Sequence, residues 1–218
     1  MSVLPTVYRL QNKTVPIQLP DETCIRQAFI EVVIEDAYGL QSFPKPVKTV
    51  LDIGANCGIF ALAAREAFPT STIHSYEPNP ALEPYLKHQS SQATFSYFME
   101  AVQKEQGFVN LSVTGKSLET RSEVAESGNV PAVAFRTTVE RIGGSVDFVK
   151  MDCEGAEWEI LEDREAWQNV QYVALEYHRF QGQTDQDALD KVLACGFSIE
   201  KHIVLPYDGG LGIIHAQR

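Results

Sequence analysis

Nowhere do two of the four cysteines, Cys24, Cys57, Cys153 and Cys195, fall at C-x-x-C spacing. That argues against a zinc knuckle or a redox pair. Scattered single cysteines suit a reducing compartment, as small buried apolar side chains. No apolar run approaches the roughly 20 residues that span a bilayer. The start, MSVLPTVYRLQNKT, lacks the basic residues and apolar stretch of a signal peptide. A cytoplasmic protein is expected. Basic residues are scarce: 18 Lys and Arg stand against 29 Asp and Glu, a net charge of −11. Such a surface repels phosphate backbones and anionic membranes, so neither nucleic acid nor membrane is an expected partner. Internal repeats and low-complexity tracts are missing too.

What is present suits one globular core: 218 residues, 44% hydrophobic and 22% charged. Residues 1–46 read as an N-terminal extension. It holds a hairpin of Val7–Leu10 and Val15–Leu19 about a turn at Gln11-Asn12-Lys13, then a helix over Ile25–Tyr38 that Asp21 would cap. Phe43–Pro46 reads as a linker into a main domain over 47–218. There the pattern alternates. Strands are expected at Thr49–Ile53, Thr72–Tyr76, Thr94–Met99, Val146–Met151 and Tyr172–Tyr177. Helices are expected at Ile59–Phe68, Pro80–His88, from Gly155 to Glu162, and at Asp185–Ala194, the last closed by Gly196. Phe108–Val113 and Val133–Thr138 look like an inserted hairpin around a loop at Thr114–Asn129. Phe197–Leu205 and Leu211–Ala216 make a terminal antiparallel pair. Strands alternating with helices imply an α/β fold with a mainly parallel, twisted sheet covered on both faces.

The first motif is Val50-Leu51-Asp52-Ile53-Gly54-Ala55-Asn56-Cys57-Gly58. A buried strand runs into a tight turn and then a helix. Gly54 and Gly58 let a ligand approach the backbone, and Asn56 tolerates left-handed dihedrals. A dinucleotide wants G-x-G-x-x-G and a cradle for pyrophosphate. Here Asn56 replaces the second glycine, and Asp52 would repel a pyrophosphate. Asp52 would instead attract the ammonium of a methionine moiety that carries a sulfonium nearby. Glu77, in Ser75-Tyr76-Glu77-Pro78-Asn79-Pro80, ends the second strand. It follows Gly54 by about 20 residues, the offset at which an acid bonds ribose hydroxyls. Glu100-Ala101 closes the third strand, where an acid can reach an adenine amino group. The expected nucleoside-cofactor site is therefore Asp52, Gly54, Ala55, Asn56, Gly58, Glu77, Asn79, Glu100 and Ala101.

The second motif is Asp147-Phe148-Val149-Lys150-Met151-Asp152-Cys153-Glu154-Gly155-Ala156-Glu157. Asp152 and Glu154 follow a strand and precede a helix, so they face the crevice. Glu176 and His178 are two apart on the fifth strand and share a side. In the strand order of the methyltransferases that these motifs resemble, the fourth and fifth strands are neighbours about 4.8 Å apart, which implies that these four groups converge beside the cofactor's methyl group. They could hold a divalent cation, Mg or Mn, through Asp152, Glu176 and His178. Or Asp152, Glu154 or His178 could take a hydroxyl proton as a general base. Glu157 falls in a first helical turn, where the macrodipole alone explains an acid. Trp158 and Trp167 read as packing on the same helix.

Both motifs, together with Leu175-Glu176-Tyr177-His178, resemble the FkbM-type methyltransferase family. Its fourth strand typically reads close to K-x-D-x-E-G-x-E, matched by Lys150, Asp152, Glu154, Gly155 and Glu157. The resemblance covers roughly Val50 to His178. It implies a Rossmann-like class I methyltransferase fold, S-adenosylmethionine as cofactor, and methyl transfer to an oxygen of a small hydroxylated metabolite or glycan-like molecule. Two other readings compete. A nicotinamide-dependent oxidoreductase is disfavoured by Asn56 and by the lack of a Tyr-x-x-x-Lys pair. A non-catalytic nucleoside-binding protein is disfavoured by the acidic group after the fourth strand.

Overall fold

The computed structural model describes residues 4–41, 43, 46–113, 120–124, 128–180, 182–205 and 210–218. Its centre is a seven-stranded sheet in the order β12-β13-β11-β10-β3-β4-β5. Those strands are β3 (Thr49–Ile53), β4 (Thr72–Tyr76), β5 (Ser96–Phe98), β10 (Val146–Met151), β11 (Val170–His178), β12 (Ser198–Leu205) and β13 (Leu211–Gln217). The five from β5 to β11 run parallel. β13 pairs antiparallel with both β11 and β12. Helices α2 (Ile59–Ala67), α3 (Glu83–Ala93) and α7 (Asp185–Ala194) connect or follow these strands. No helix among the described residues is long and apolar enough to cross a membrane.

The strands are buried on both faces, as parallel sheets require. Leu51, Ile53, Val149, Met151, Val173 and Leu175 face one apolar cluster. Val50, Phe148, Tyr172 and Ala174 face the other. Period-two alternation then places Asp52 and Lys150, paired in register, on the second of these faces. The chain passes from β3 to β4 and β5 on one side, then returns to β10 on the other. The gap between β3 and β10 is the topological switch point where open α/β sheets hold ligands.

A smaller sheet, β6-β9-β7-β8, stands beside the main one. It comprises β6 (Ala101–Gln103), β7 (Gly107–Val113), β8 (Thr120–Val124) and β9 (Val130–Ala134). The inserted hairpin is thus partly corrected. β7 does pair antiparallel with β9. The second strand, however, spans 130–134, and Phe135 opens helix α4 (Phe135–Arg141). Its β-branched Thr-Thr-Val run suggests a strand, yet Phe135, Thr138 and Val139 are buried at helical spacing and Thr138 Oγ1 donates to the Phe135 carbonyl. The expected loop contains β8, and the rest of it from 114 to 119 and 125 to 127 lies outside the described residues, as do 44 and 45 of the linker.

The N-terminal hairpin forms from β1 (Val7–Leu10) and β2 (Lys13–Pro16). The helix after it is shorter than expected. α1 (Thr23–Phe29) continues as a π-helical turn over Ile30–Ile34 and stops there. Asp36 breaks it with a left-handed φ of 51°. Asp21 is not its cap; it pairs with Arg26 at 2.6 Å. Beyond β10 the chain forms two short helices, α5 (Glu157–Ile160) and α6 (Arg164–Trp167), instead of one. Asp163 caps the second.

Candidate active site

Sequence forces the backbones of the two motifs together. A Cβ on Gly54, at φ +77°, would lie 1.6 Å from the Asp152 carbonyl oxygen. Only glycine lets the turn after β3 touch the end of β10 in this way. The Asp152 N–H donates to the Ile53 carbonyl at 3.0 Å, closing the contact. Asn56 adopts a φ of 50°, and Gly58, at φ 85°, is the N-cap of α2.

Glu77 braces this turn. Its two oxygens accept the backbone N–H of Asn56 at 2.8 Å and of Asn79 at 2.9 Å. Burial pushes its pKa up to about 7, against the pull of those two donors and of Lys150. Asn79 in turn accepts from the Ala81 N–H, starting the 3-10 turn Pro80–Leu82 before α3.

Lys150 and Asp52 form the buried floor. Asp52 is fully buried, 3.5 Å from Lys150 Nζ, and accepts from Ser75 Oγ at 3.1 Å. Lys150 Nζ also donates to the Gly54 carbonyl at 2.5 Å and lies 3.8 Å from Asp152. Burial pulls the Lys150 pKa down, but the carboxylates of Asp52, Asp152 and Glu176 outweigh it and raise the pKa overall. Lys150 is therefore an ammonium ion. The ring of Tyr38 covers it, and the Tyr38 hydroxyl donates to Asp152 at 3.3 Å. Burial and the charges of Asp152, Glu176, Asp52 and Glu31 hold that phenol protonated.

The expected acidic group does converge. The Nε2 of His178 lies 3.4 Å from Glu154 and 3.8 Å from Glu176. Donor atoms of Asp152, Glu154 and His178 all fall within 4.8 Å of one another. Glu176, expected with Asp152 and His178 as a cation ligand, is not in this trio, whereas Glu154 is. Its left-handed φ of 54° turns it there, a strained conformation for a non-glycine residue. The other face of His178 is held by Glu157, which is wholly buried. Glu157 accepts from His178 Nδ1 at 2.9 Å, from the His178 N–H at 2.8 Å and from the Gly155 N–H at 2.7 Å. Burial alone would lower the His178 pKa; the hydrogen bond and charge of Glu157, with Glu154 and Asp152, raise it to about 10.

A cavity of about 410 Å³ opens over this group. Gly54, Ala55 and Asn56 line it, as do Lys150, Asp152, Glu154, Glu176 and His178. Asp52, Gly58, Glu77, Asn79, Glu100 and Ala101 are not on its wall. Glu100 lies between β5 and β6 and pairs with Arg141 at 2.6 Å, while the Arg141 guanidinium sits over the Phe98 ring. A larger, more open groove of about 890 Å³ lies at the opposite strand ends. Its buried Arg65 gives its guanidinium to carbonyls of Ala93, Thr94, Pro69 and Ser71, and no carboxylate is among its described lining residues. The carboxylates and His178 line the smaller cavity instead.

Three contributors escaped the sequence reading. Glu157 holds His178 and is more than a helix-end charge. Lys150 was matched to a motif without a role. The third is the N-terminal helix: Cys24, Gln27, Ala28, Glu31 and Val32 line the cavity at spacing i, i+3, i+4, i+7, i+8, with Tyr38 beyond. That periodicity was visible but obscured by the apolar residues on the outer face.

The fold is shared with solved methyltransferases. A putative RNA methyltransferase from Pyrococcus horikoshii superposes with a TM-score of 0.53 at 13% identity, covering 93% of this chain and 92% of its own. Aeropyrum pernix fibrillarin, solved with natively bound S-adenosylmethionine, gives 0.53 at 11% identity over 84% and 74%. Magnesium protoporphyrin IX methyltransferase from Synechocystis, with the same molecule bound, gives 0.52 at 13% over 88% and 79%. No curated protein matches the sequence significantly. The methyltransferase FkbM domain, however, matches residues 52–199, more than half of the chain. With the fold of a class I methyltransferase and both motifs at one cavity, this chain belongs to the FkbM methyltransferase domain family.

Proposed function

We propose that this chain is an S-adenosylmethionine-dependent O-methyltransferase acting on a hydroxyl of a small, neutral or weakly charged molecule. The observation that carries the reading is the Asp152–Glu154–Glu176–His178 group facing a cavity that the glycine turn also lines. In this reading the backbone of Gly54, Ala55, Asn56 and Gly58 receives the cofactor. Glu77 accepts from its ribose hydroxyls through lone pairs the Asn56 and Asn79 amides leave over. Asn79, Glu100 and Ala101 lie on the adenine side. Asp52 acts on the methionine end indirectly, by holding Lys150 against the Gly54 carbonyl. Bound solved relatives of this fold support the choice of cofactor.

S-adenosylmethionine supplies an electrophilic methyl group on a sulfonium. The residues must then activate a hydroxyl, a poor nucleophile at neutral pH. Asp152, at the rim of Lys150 and Tyr38, takes the hydroxyl proton as the new C–O bond forms and the methyl–sulfur bond breaks. His178, protonated and held by Glu157, is a fixed positive charge beside Glu154 and Glu176, and does not serve as the base in the cation-free site. The same donors suit a divalent ion. Two carboxylates suit manganese or magnesium, and an imidazole whose other nitrogen is bound to a carboxylate favours manganese of the two. Asp152, Glu154 and His178 would hold that ion, with Glu176 beside them, and it would supply Lewis acidity toward the hydroxyl.

The test joins two measurements. Calorimetry with S-adenosylmethionine, S-adenosylhomocysteine and NAD identifies the cofactor. Methyl transfer to hydroxylated and amino compounds, before and after chelation and manganese readdition, identifies the chemistry. Binding of NAD alone, or transfer only to amines, overturns the reading. Full turnover after chelation leaves the Asp152 base and removes the ion.

A further inference from the structure

The family match begins at residue 52, yet one wall of the cavity precedes it. α1 and the π-helical turn turn a single face inward. On that face Gln27 sits at the exposed mouth and Glu31 lies deeper, half-buried. Gln27 Nε2 donates to Glu31 Oε1 at 2.9 Å, which fixes the carboxylate. Glu31 is close enough to the opposite wall that its charge raises the pKa of Glu176.

This wall is anchored. The Asp36 carboxylate accepts the N–H of Leu40 at 2.8 Å and of Gln41 at 3.0 Å. His215 Nε2 bonds the Ala37 carbonyl at 2.8 Å, and its Nδ1 meets the Tyr172 hydroxyl at 2.9 Å. Tyr38 completes the attachment through Asp152. The segment is thus tied to β11, β13 and the end of β10. Its single wide turn, at Ile30–Ile34, begins beside Glu31; such turns recur at functional sites.

Beyond α1 the polar lining comes from Tyr38, Asn56, Lys150 and the acidic group. The apolar part of the lining includes Val32, Ile59, Phe60, Phe180, Leu205 and Leu211. Lys150 is occupied by Asp52, Asp152 and backbone carbonyls, and His178 by Glu157 at Nδ1 and by Glu154 at Nε2. A molecule in this space meets hydrogen-bond acceptors at two places and apolar surface between them.

We infer that the inward face of α1 is the acceptor-reading wall, with Glu31 accepting a hydrogen bond from a second hydroxyl or ammonium group of the acceptor. The first hydroxyl lies at Asp152. The carbon skeleton between them lies on the apolar lining. Acceptors that carry a carboxylate or phosphate at the second position are turned away, because Glu31 repels them. This rests on the methyl-transfer reading above for the meaning of the first position only.

Three ring compounds of equal size test it: cis-1,2-cyclohexanediol, cis-2-aminocyclohexanol and cis-2-hydroxycyclohexanecarboxylate. Binding is measured by saturation-transfer NMR on the full chain loaded with S-adenosylhomocysteine. The diol and amino alcohol are expected to bind, the amino alcohol more tightly if the second group is read as an ammonium, and the acid to bind at least tenfold more weakly. Glu31→Gln should erase the discrimination against the acid, and Glu31→Lys should reverse it. Gln27→Ala should weaken the diol less than Glu31→Ala does. Equal binding of all three compounds, no binding by any, or an unchanged ranking in Glu31→Lys overturns the inference. Calorimetry with S-adenosylmethionine on each variant separates the two readings. Missing discrimination in the unsubstituted chain, with cofactor binding intact, sinks the acceptor wall alone. Discrimination without any cofactor binding sinks the methyltransferase reading alone.

Discussion

One oxygen of Glu157 receives both the backbone N–H and the ring Nδ1 of His178, at 2.8 and 2.9 Å. The residue that ends β11 is thereby oriented by the first residue of α5. With Nδ1 committed, Nε2 has one direction left, toward Glu154 and Glu176.

Removing that carboxylate should be felt in stability and in turnover. Glu157→Ala leaves the Gly155 and His178 donors buried without partners, at about 1–3 kcal/mol for each. A melting temperature equal to wild type would contradict this. Glu157→Gln retains the shape and one acceptor oxygen. It should melt closer to wild type, bind cofactor normally and lose turnover, because His178 is no longer held by charge. A drop in kcat at unchanged cofactor affinity is the pattern that distinguishes positioning from folding.

The central strands were legible because they are short, buried and bounded by glycine or acidic turns, as at Ile53-Gly54 and Met151-Asp152. The convergence of Asp152, Glu154, Glu176 and His178 followed from strand adjacency, which β10 and β11 fulfil in register. Pairings over longer distance were not legible. Asp52 reads as a free acid at a strand tip, and nothing local says that Lys150 on the next strand will neutralise it. Glu100 reads as free in the same way until Arg141 of α4 arrives beside it. Thr137-Thr138-Val139 carries strand propensity, which burial on a helical face overrides. Glu157 looks like a helix-end acid because its partner lies one strand away.

The pH dependence has one sign throughout the site. Burial raises Glu77 from an ordinary 4.5 to about 7 and raises Glu176 and Asp52 as well; His178, raised by its carboxylates, goes from 6.5 to about 10. A group whose pKa is raised in the folded state binds more protons there than when unfolded. Its contribution is complete below the unfolded value and disappears as pH rises through the folded one. The unliganded protein should therefore lose stability between about pH 5 and pH 10 from these groups. Denaturant unfolding across that range is the check, and rising stability would contradict it. Cofactor affinity should move the opposite way around Glu77. Ribose hydroxyls bond the ionised carboxylate better, so affinity should fall about tenfold per unit below pH 7 and level off above it.

Lys150 and Asp52 should behave as a unit. Lys150→Met leaves the Asp52 carboxylate buried with only Ser75, and breaking one side of such a pair costs about 3–5 kcal/mol. Asp52→Asn alone leaves Lys150 near Asp152 and the Gly54 carbonyl and should cost less. The double variant removes both charges and should recover much of the loss. Equilibrium unfolding of the three proteins gives the coupling directly. Additive losses in the double variant would mean that the two charges do not depend on each other.

Asp152 separates chemistry from binding. Its backbone is gripped by Gly54 and its N–H by Ile53, while its carboxylate meets the Tyr38 hydroxyl at 3.3 Å and Lys150 at 3.8 Å. Asp152→Asn preserves those backbone contacts and the side-chain shape, and removes only the charge. An amide cannot accept the hydroxyl proton, so turnover should fall by about 10²-fold or more. Cofactor affinity should hardly change, because Glu77 and the glycine turn are untouched. Tyr38→Phe keeps the ring over Lys150 but removes a donor from Asp152. The carboxylate that takes the proton remains, so turnover should fall far less than in Asp152→Asn. Asp152→Asn turning over like wild type would remove Asp152 as the base. An Asn variant that also loses the cofactor would place Asp152 in binding instead, and transfer of the proton would then fall to a neighbour such as Glu154 or Glu176.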